Sequence, residues 1–142
     1  VFSLGGFASA ISAPLWGRFG QHHGFHTALT YALIATGICF FLQSLPNDLM
    51  LFAASQFAVG LFFSGIYPSI NAILAENTDA HTKGHVFGLL FSAQQIGSMT
   101  GPLLGGVVAT FLGIKYIFIL AALIVLAISV AAQRQRKFER PE

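Results

Sequence analysis

Long stretches with almost no Asp, Glu, Lys or Arg dominate this 142-residue chain and limit what it can fold into. They cover residues 1–15, 27–45, 49–75, 86–112 and 114–132, and the last alone contains a charged residue, Lys115 near its start. A helix needs about 20 mainly apolar residues to cross a hydrocarbon core of about 30 Å. The first stretch is too short and is interpreted as the end of a longer span. The sequence therefore predicts an all-α polytopic membrane protein with about five transmembrane helices.

Composition excludes several other classes of protein. The chain is 55% hydrophobic and 8% charged, whereas soluble proteins contain about 25% charged residues. The apolar excess excludes a disordered chain, and the single cysteine, Cys39, excludes a disulfide framework and a cysteine-based zinc site. Val1 lies inside an apolar run that lacks the charged start and cleavage site of a signal peptide, so we expect a fragment of a longer protein. We expect a lipid bilayer around it, with no cofactor and no nucleic-acid partner.

Basic residues are distributed unevenly between the two ends of the predicted spans. Lys and Arg are retained on the cytoplasmic side of a membrane, so their positions predict the orientation. Lys115 lies at one end, and the remaining basic residues lie at the other: Arg18, Lys83, Arg134, Arg136, Lys137 and Arg140. We therefore expect the transmembrane bundle to cover residues 1–132 and a basic cytoplasmic tail to follow over residues 133–142.

A polar stripe runs along the third predicted span. At 100° per residue, five positions fall within an arc of about 80°: Gln56, Gly60, Ser64, Tyr67 and Asn71. A polar side chain that faces lipid loses its hydrogen bonds to water without replacement, so the stripe is expected to face protein or a water-filled cavity. Two interpretations stay open. The stripe forms hydrogen bonds between helices, or Gln56, Tyr67 and Asn71 line a solute path.

The fourth predicted span carries a ridge of glycines. Gly97, Gly101 and Gly105 repeat every four residues, which allows another backbone to approach closely. Pro102 removes a backbone donor and crowds the preceding turn, so a kink is expected there. Further candidates for a solute path lie beside this ridge: Phe91, Gln94, Gln95 and Ser98.

Two segments resemble signatures of the major facilitator superfamily. Residues 13–22 are similar to its cytoplasmic loop signature G-x-L-a-D-r-x-G-r-k, which Leu15, Arg18 and Gly20 match. Gly17 stands where the signature has Asp. The charge-based locking of neighbouring helices that the resemblance implies therefore lacks its acidic partner here.

The fourth span resembles the signature g-x8-G-x3-G-P-x2-G-G of the drug:proton antiporter branch. Its six positions are Gly88, Gly97, Gly101, Pro102, Gly105 and Gly106. The resemblance implies a secondary active transporter, which exports small lipophilic or drug-like solutes by alternating access. It also implies a location in the bacterial inner membrane with a cytoplasmic C-terminus.

Two features favour the C-terminal half of such a transporter, helices 8 to 12 of 12, over the N-terminal half. The fourth helix of antiporters carries an Arg in the pattern l-x-x-x-R-x-x-q-G, and here Leu51 is followed by Ser55 at that place. The chain also ends after its basic tail. The missing N-terminal half of the same chain is then expected to be its partner, with the solute bound between the two halves.

The acidic residues bear on how such transport would be driven. Proton coupling needs an ionisable group inside the membrane, and burial raises the pKa of a carboxyl. All five acidic residues lie in turns, at span ends or in the tail: Asp48, Glu76, Asp79, Glu139 and Glu142. We therefore expect the coupling group to lie in the missing half.

Other functions have less support from the sequence. Transport of another small solute, such as a sugar or metabolite, stays open because one half of a site does not define the solute. The histidines form two groups, His22, His23 and His26 and then His81 and His85, which look similar to the iron-binding boxes of membrane desaturases. They are fewer than those boxes contain and have no carboxylate beside them. We therefore expect neither an enzyme nor a metal site, and a non-transporting scaffold has no positive sequence feature.

Overall fold

The fold consists of helices joined by short turns. The computed structural model describes residues 2–45 and 48–138, and for residues 2–5 and 135–138 it describes the backbone alone. Six helical segments follow one another: α1 (Phe2–His23), α2 (Phe25–Gln43), α3 (Leu49–Phe63), α4 (Ile66–Asn77), α5 (Lys83–Phe111) and α6 (Ile114–Phe138). No strand occurs within this described part, so the chain is all-α as predicted.

Glycines form two of the tight turns between antiparallel helices. Gly24 alone separates α1 from α2 and has a φ of 87°, and Gly113 precedes α6 with a φ of 98°. An L-residue with a side chain rarely adopts this backbone conformation. Gly20 is constrained by space instead, because a Cβ there would lie 2.5 Å from the ring of Phe25. These turns bring neighbouring helices side by side.

Helix α2 lies at the centre of the bundle and packs against α1, α3, α4 and α6. Ala28, Ala32 and Thr36 are buried along it at four-residue spacing. At Gly37 a Cβ would lie 2.8 Å from the side chain of Leu126, so α6 approaches α2 closely there. Small residues, which let helices approach in a membrane where hydrophobic burial gives little net gain, therefore make the central contacts.

The third predicted span is two helical segments, α3 and α4, separated at Ser64 and Gly65. Pro68 gives the physical reason, since it has no N–H to donate to the carbonyl of Ser64 and its ring crowds that turn. The Gly65 N–H donates to the carbonyl of Phe62, three residues back, at 3.1 Å. The continuous apolar pattern of the sequence did not indicate this break.

Three stretches of the described chain are long and apolar enough to cross a membrane, by length and composition: Phe25–Gln43, Leu49–Asn77 and Ile114–Arg134. Their mean hydropathies are 1.6, 1.8 and 2.6. Helices α1 and α5 carry the other two expected spans and are not among them, because Gly, Ser and Gln lower their mean hydropathy. Helix α1 continues past residue 15 and α6 past residue 132, so the connection expected after residue 16 and the expected tail both begin as helix.

Some expected features lie outside the described residues. These are Val1, the Pro46–Asn47 part of the second turn, and Glu139, Arg140 and Glu142 of the tail. The side chains of Arg136 and Lys137 are likewise not described.

Candidate functional site

A cleft of about 370 Å³ lies between α4 and α5. Tyr67 and Asn71, one helical turn apart, line it from α4. The α5 wall consists of positions spaced by three or four residues, which share one face of a helix: Phe87, Leu90, Phe91 and Gln94. The cleft therefore brings together four of the residues proposed for a solute path from the sequence, Tyr67, Asn71, Phe91 and Gln94.

The lining of the cleft combines aromatic rings with uncharged polar groups. Tyr67 is 44% exposed and Phe91 is 62% exposed, so both rings are accessible from the cleft. The phenol hydroxyl and the two amides, of Asn71 and Gln94, can each donate and accept hydrogen bonds. No lining residue carries a formal charge. Such a site can contact an apolar solute and pair its few polar atoms, but it offers no fixed charge to an ionic solute.

The opposite face of α4 packs into the protein. Ser69 is 1% exposed, and its hydroxyl donates to the carbonyl of Gly65 at 2.7 Å. Ile66 belongs to a buried cluster with Ala32 and Leu33 of α2. Helix α4 is therefore held on one face by α2, which leaves Tyr67 and Asn71 on its open side.

The first half of the polar stripe, on α3 and at the break, makes hydrogen bonds between helices. The Ser9 hydroxyl of α1 donates to the carbonyl of Gly60 at 2.9 Å, and the hydroxyls of Ser12 and Ser64 lie 2.7 Å apart. Gln56 accepts a hydrogen bond from the side-chain amide of Gln43, which is buried in α2. Gln56 therefore lies apart from the cleft, and this half of the stripe forms hydrogen bonds between helices. The solute path stays a prediction for Tyr67 and Asn71.

Two other proposed path residues also lie outside the lining of the cleft. Gln95 and Ser98 are exposed on α5, and the Ser98 hydroxyl donates to the carbonyl of Gln94 at 2.9 Å. Gln95 is rotated by about 90° from the centre of the face formed by positions 87, 90, 91 and 94, whereas Ser98 shares that face but lies one turn beyond Gln94.

The glycine signature lies along α5 without a close neighbour in the described chain. A Cβ added at any of its five glycines would meet no neighbouring atom within 4 Å: Gly88, Gly97, Gly101, Gly105 and Gly106. Helix α5 contains no buried residue and stays α-helical through Pro102. At 100° per residue, Gly97, Gly101 and Gly105 fall with the cleft-lining positions within an arc of about 120°. The described helices therefore do not make the close backbone packing expected at the ridge. Such packing would need a partner outside them.

The residues of the expected loop motif lie in the last turns of α1. Leu15 and Arg18 are exposed, whereas Gly20 is buried against Phe25. Arg18 thus stands near the end of the helix from which the chain turns into α2.

Three residues that lie at the cleft or at a contact between helices were not predicted from the sequence. Phe87 and Leu90 share the helical face of Phe91 and Gln94, and this spacing was a usable signal. Trp16 donates its indole N–H to the carbonyl of Leu61 at 2.8 Å, a contact between distant segments that no local pattern indicates.

Histidine and carboxylate side chains are possible metal ligands, and the structure shows other contacts for two of them. The His23 ring stacks on Phe19 with 4.5 Å between ring centroids, and Asp48 accepts a hydrogen bond from the Met50 N–H at the start of α3. Within the described ranges no three His, Cys, Asp or Glu side chains are grouped closely enough to hold a metal ion.

Comparison with known proteins bears on the family. The family model of the Major Facilitator Superfamily matches residues 1–141. Multidrug resistance protein MdtG of Yersinia enterocolitica is 30% identical over 127 residues, which is 89% of this chain and 30% of that protein. The multi-drug resistance efflux pump PmrA homolog of Lactococcus lactis is 34% identical over 89% of this chain and 31% of its own length. The Staphyloferrin B transporter of Staphylococcus aureus is 30% identical over 84% of this chain and 28% of its own.

The chain therefore spans less than a third of the length of these curated relatives. No solved structure matches it.

Proposed function

Because this chain belongs to the major facilitator superfamily, we propose that it forms one wall of a secondary transporter that exports small lipophilic solutes by alternating access. The observation that carries the proposal is the uncharged, aromatic-lined cleft between α4 and α5. Burial of the apolar surface of such solutes against Phe87, Phe91 and Tyr67 makes their binding more favourable. Tyr67 and the two amides, of Asn71 and Gln94, would pair the polar atoms that such solutes carry.

The position of this wall within the whole transporter is part of the same proposal. The open side of the cleft and the glycine ridge occupy one side of α5, and a Cβ at any glycine of the ridge would meet no neighbouring atom of the described chain within 4 Å. We assign that side to the missing N-terminal half and the chain to helices 8 to 12. The absence of Arg at Ser55 supports this assignment. A solute would then bind between the halves, and rocking of one half against the other would expose it to each side in turn.

Proton coupling would use a group of the missing half. Among the described acidic residues, Asp48 lies at the start of α3, Glu76 in the last turn of α4 and Asp79 between α4 and α5. None of them lines the cleft. We also place the protein in the bacterial inner membrane with its C-terminus in the cytoplasm, supported by the concentration of Lys and Arg at one end of the helices.

The test is efflux by the full-length transporter in bacteria that lack their own drug pumps. Ethidium is the probe, because it is a planar lipophilic molecule whose delocalised positive charge is attracted by the faces of aromatic rings and needs no fixed negative charge in the site. Cells with the transporter should accumulate less ethidium, and Asn71→Leu or Phe91→Ala should restore accumulation toward that of empty cells. Equal accumulation with and without the intact transporter would refute export of this solute class.

Transport of a more polar metabolite is the second candidate. It is favoured by the similarity to a protein named as a Staphyloferrin B transporter and by the hydrogen-bonding groups of Tyr67, Asn71 and Gln94. Saturable uptake of an uncharged sugar into everted vesicles, without any ethidium efflux, would favour this candidate over the first.

A further inference from the structure

The end of α1 packs directly on the break between α3 and α4 through Trp16. A Cβ at Gly65 would lie 2.5 Å from Cδ2 and 2.8 Å from Cγ of the indole. The φ of Gly65 is −80°, a value that any residue adopts. The close contact with the ring, and not the backbone conformation, therefore requires glycine at this position.

The indole N–H also donates to a carbonyl that loses its helical N–H partner at the break. In an unbroken helix the Leu61 carbonyl would accept the Gly65 N–H, but that N–H donates to Phe62 instead. The Leu61 carbonyl accepts hydrogen bonds from Trp16 Nε1 at 2.8 Å and from the Ser64 hydroxyl at 2.9 Å. An unpaired carbonyl is costly inside a membrane, so this pairing stabilises the broken form over a straight helix.

The contact between Trp16 and Gly65 lies next in sequence to the α4 residues that line the cleft. Ile66, next to Gly65, belongs to the buried cluster against which Trp16 packs. Tyr67 follows at once and Asn71 one turn later, and both line the cleft. The direction in which α4 leaves the break thus determines where these two side chains stand.

We propose that Trp16 is a positioning residue for the cleft. With its ring on Gly65 and its N–H on the Leu61 carbonyl, it fixes the direction of α4 and so the placement of Tyr67 and Asn71. Trp16 does not itself line the cleft. This inference rests on the proposed function, since the placement of those side chains matters to transport if the cleft holds the solute.

The test measures the position of α4 by thiol modification in the full-length transporter carrying Cys39→Ser. Tyr67→Cys reports on α4 and Gln94→Cys on α5, and the reagent is a small cationic methanethiosulfonate. Gly65→Ala puts a methyl group into the space of the ring, so we expect the ratio of the two modification rates to change by about tenfold. Gly17→Ala is the matched control, because a Cβ at that position of α1 meets nothing within 4 Å. The control should leave the ratio unchanged.

Two further variants separate positioning from a general loosening of the helices. Trp16→Leu combined with Gly65→Ala removes the ring that the methyl group displaces, and the ratio should return toward that of the parent. Trp16→Phe keeps an aromatic ring without the N–H, so KM for ethidium efflux should rise about threefold with little change in Vmax, as a weakened hydrogen bond predicts. This variant carries the test if Gly65→Ala does not reach the membrane.

The outcomes distinguish this inference from the proposed function. An unchanged ratio in Gly65→Ala, or unchanged KM and ratio in Trp16→Phe, would overturn the positioning role and leave the cleft in place. A thiol from Tyr67→Cys that never reacts in any background would overturn the cleft, and the positioning role with it.

Discussion

The hydroxyl oxygens of Ser12 and Ser64 lie 2.7 Å apart and join α1 to the residue at which the third span stops being helical. Each hydroxyl also lies within hydrogen-bond distance of a carbonyl in its own helix, that of Ala8 for Ser12 and of Leu61 for Ser64. A hydroxyl has a single proton, so one serine must give up its carbonyl to donate across the interface. The contact between α1 and the break is therefore a small network in which the bonds compete.

Removal of either hydroxyl should weaken the contact only slightly. We expect Ser12→Ala and Ser64→Ala each to lower the free energy of unfolding of the full-length protein by about 0.6 kcal/mol, as for other hydrogen bonds between transmembrane helices. The double variant should lose less than the sum, because the shared bond is lost once. Unfolding in detergent titrated with dodecyl sulfate measures these differences. Strictly additive losses would show that the two hydroxyls do not interact.

The pair formed by Gln43 and Gln56 should respond asymmetrically to substitution. Gln43 is 2% exposed, so Gln56→Leu leaves a buried amide without its partner, which costs about 1 to 3 kcal/mol. Gln43→Leu combined with Gln56→Leu removes both polar groups and should recover most of that loss. Thermal unfolding midpoints of the single and double variants test this. A double variant less stable than either single one would indicate that the apolar pair does not fit.

Local patterns in the sequence predict the helices and the face on which each residue lies. They do not predict how the faces of different helices meet. The spacing of Tyr67 and Asn71 was sufficient to place them together, and that of Phe91 and Gln94 likewise. That the two pairs line one cleft depends on the turn between α4 and α5. Gln56 shows the limit most clearly, since its partner Gln43 lies on another helix.

The break at Ser64 and Gly65 is a different case, because a local signal was present. Pro68 disrupts the turn before it, yet the apolar residues on either side continue without interruption. Hydrophobicity alone therefore predicts one span over residues 49–75. The contact of Trp16 with Gly65 could not be predicted, since it joins segments far apart in sequence.

The glycine ridge should tolerate bulk poorly in the full-length protein. Gly101→Leu and Gly105→Leu add side chains at positions where a Cβ would meet no neighbouring atom of the described chain within 4 Å. If the missing half packs there, overpacking should cost about 1 to 3 kcal/mol and lower transport or expression. Ser92→Leu, on the other side of α5 at 100° per residue, is the control and should have a smaller effect. Normal ethidium efflux by both glycine variants would show that the ridge faces lipid.

The chain alone should not transport. Its cleft has walls on α4 and α5, and alternating access needs a second half to close the remaining side. Proteoliposomes containing this chain alone should show no saturable ethidium flux, whereas those with the full-length protein should. Saturable flux through the chain alone would contradict the assignment to half of a larger bundle.

Solute contact at the cleft should be detectable by modification of introduced cysteines. In a full-length protein carrying Cys39→Ser, Tyr67→Cys and Asn71→Cys should react with a small polar thiol reagent, because reagent and thiolate both need water. Ethidium should slow that reaction if it occupies the cleft, and the slowing should saturate with ethidium concentration. Ser69→Cys is the matched control on α4, since the parent side chain is 1% exposed and should stay unreactive in every condition.

The same experiment divides the polar stripe into its two halves. A thiol introduced by Ser64→Cys, next to Ser12, should react slowly and without protection by ethidium, because that side chain faces α1. Conditions that shift the conformational equilibrium should change the reactivity at positions 67 and 71 more than at position 64. Equal reactivity at positions 64, 67, 69 and 71 would mean that the span is loosely packed. If thiols at positions 67 and 71 do not react in any state, the whole stripe forms hydrogen bonds between helices and the solute passes elsewhere.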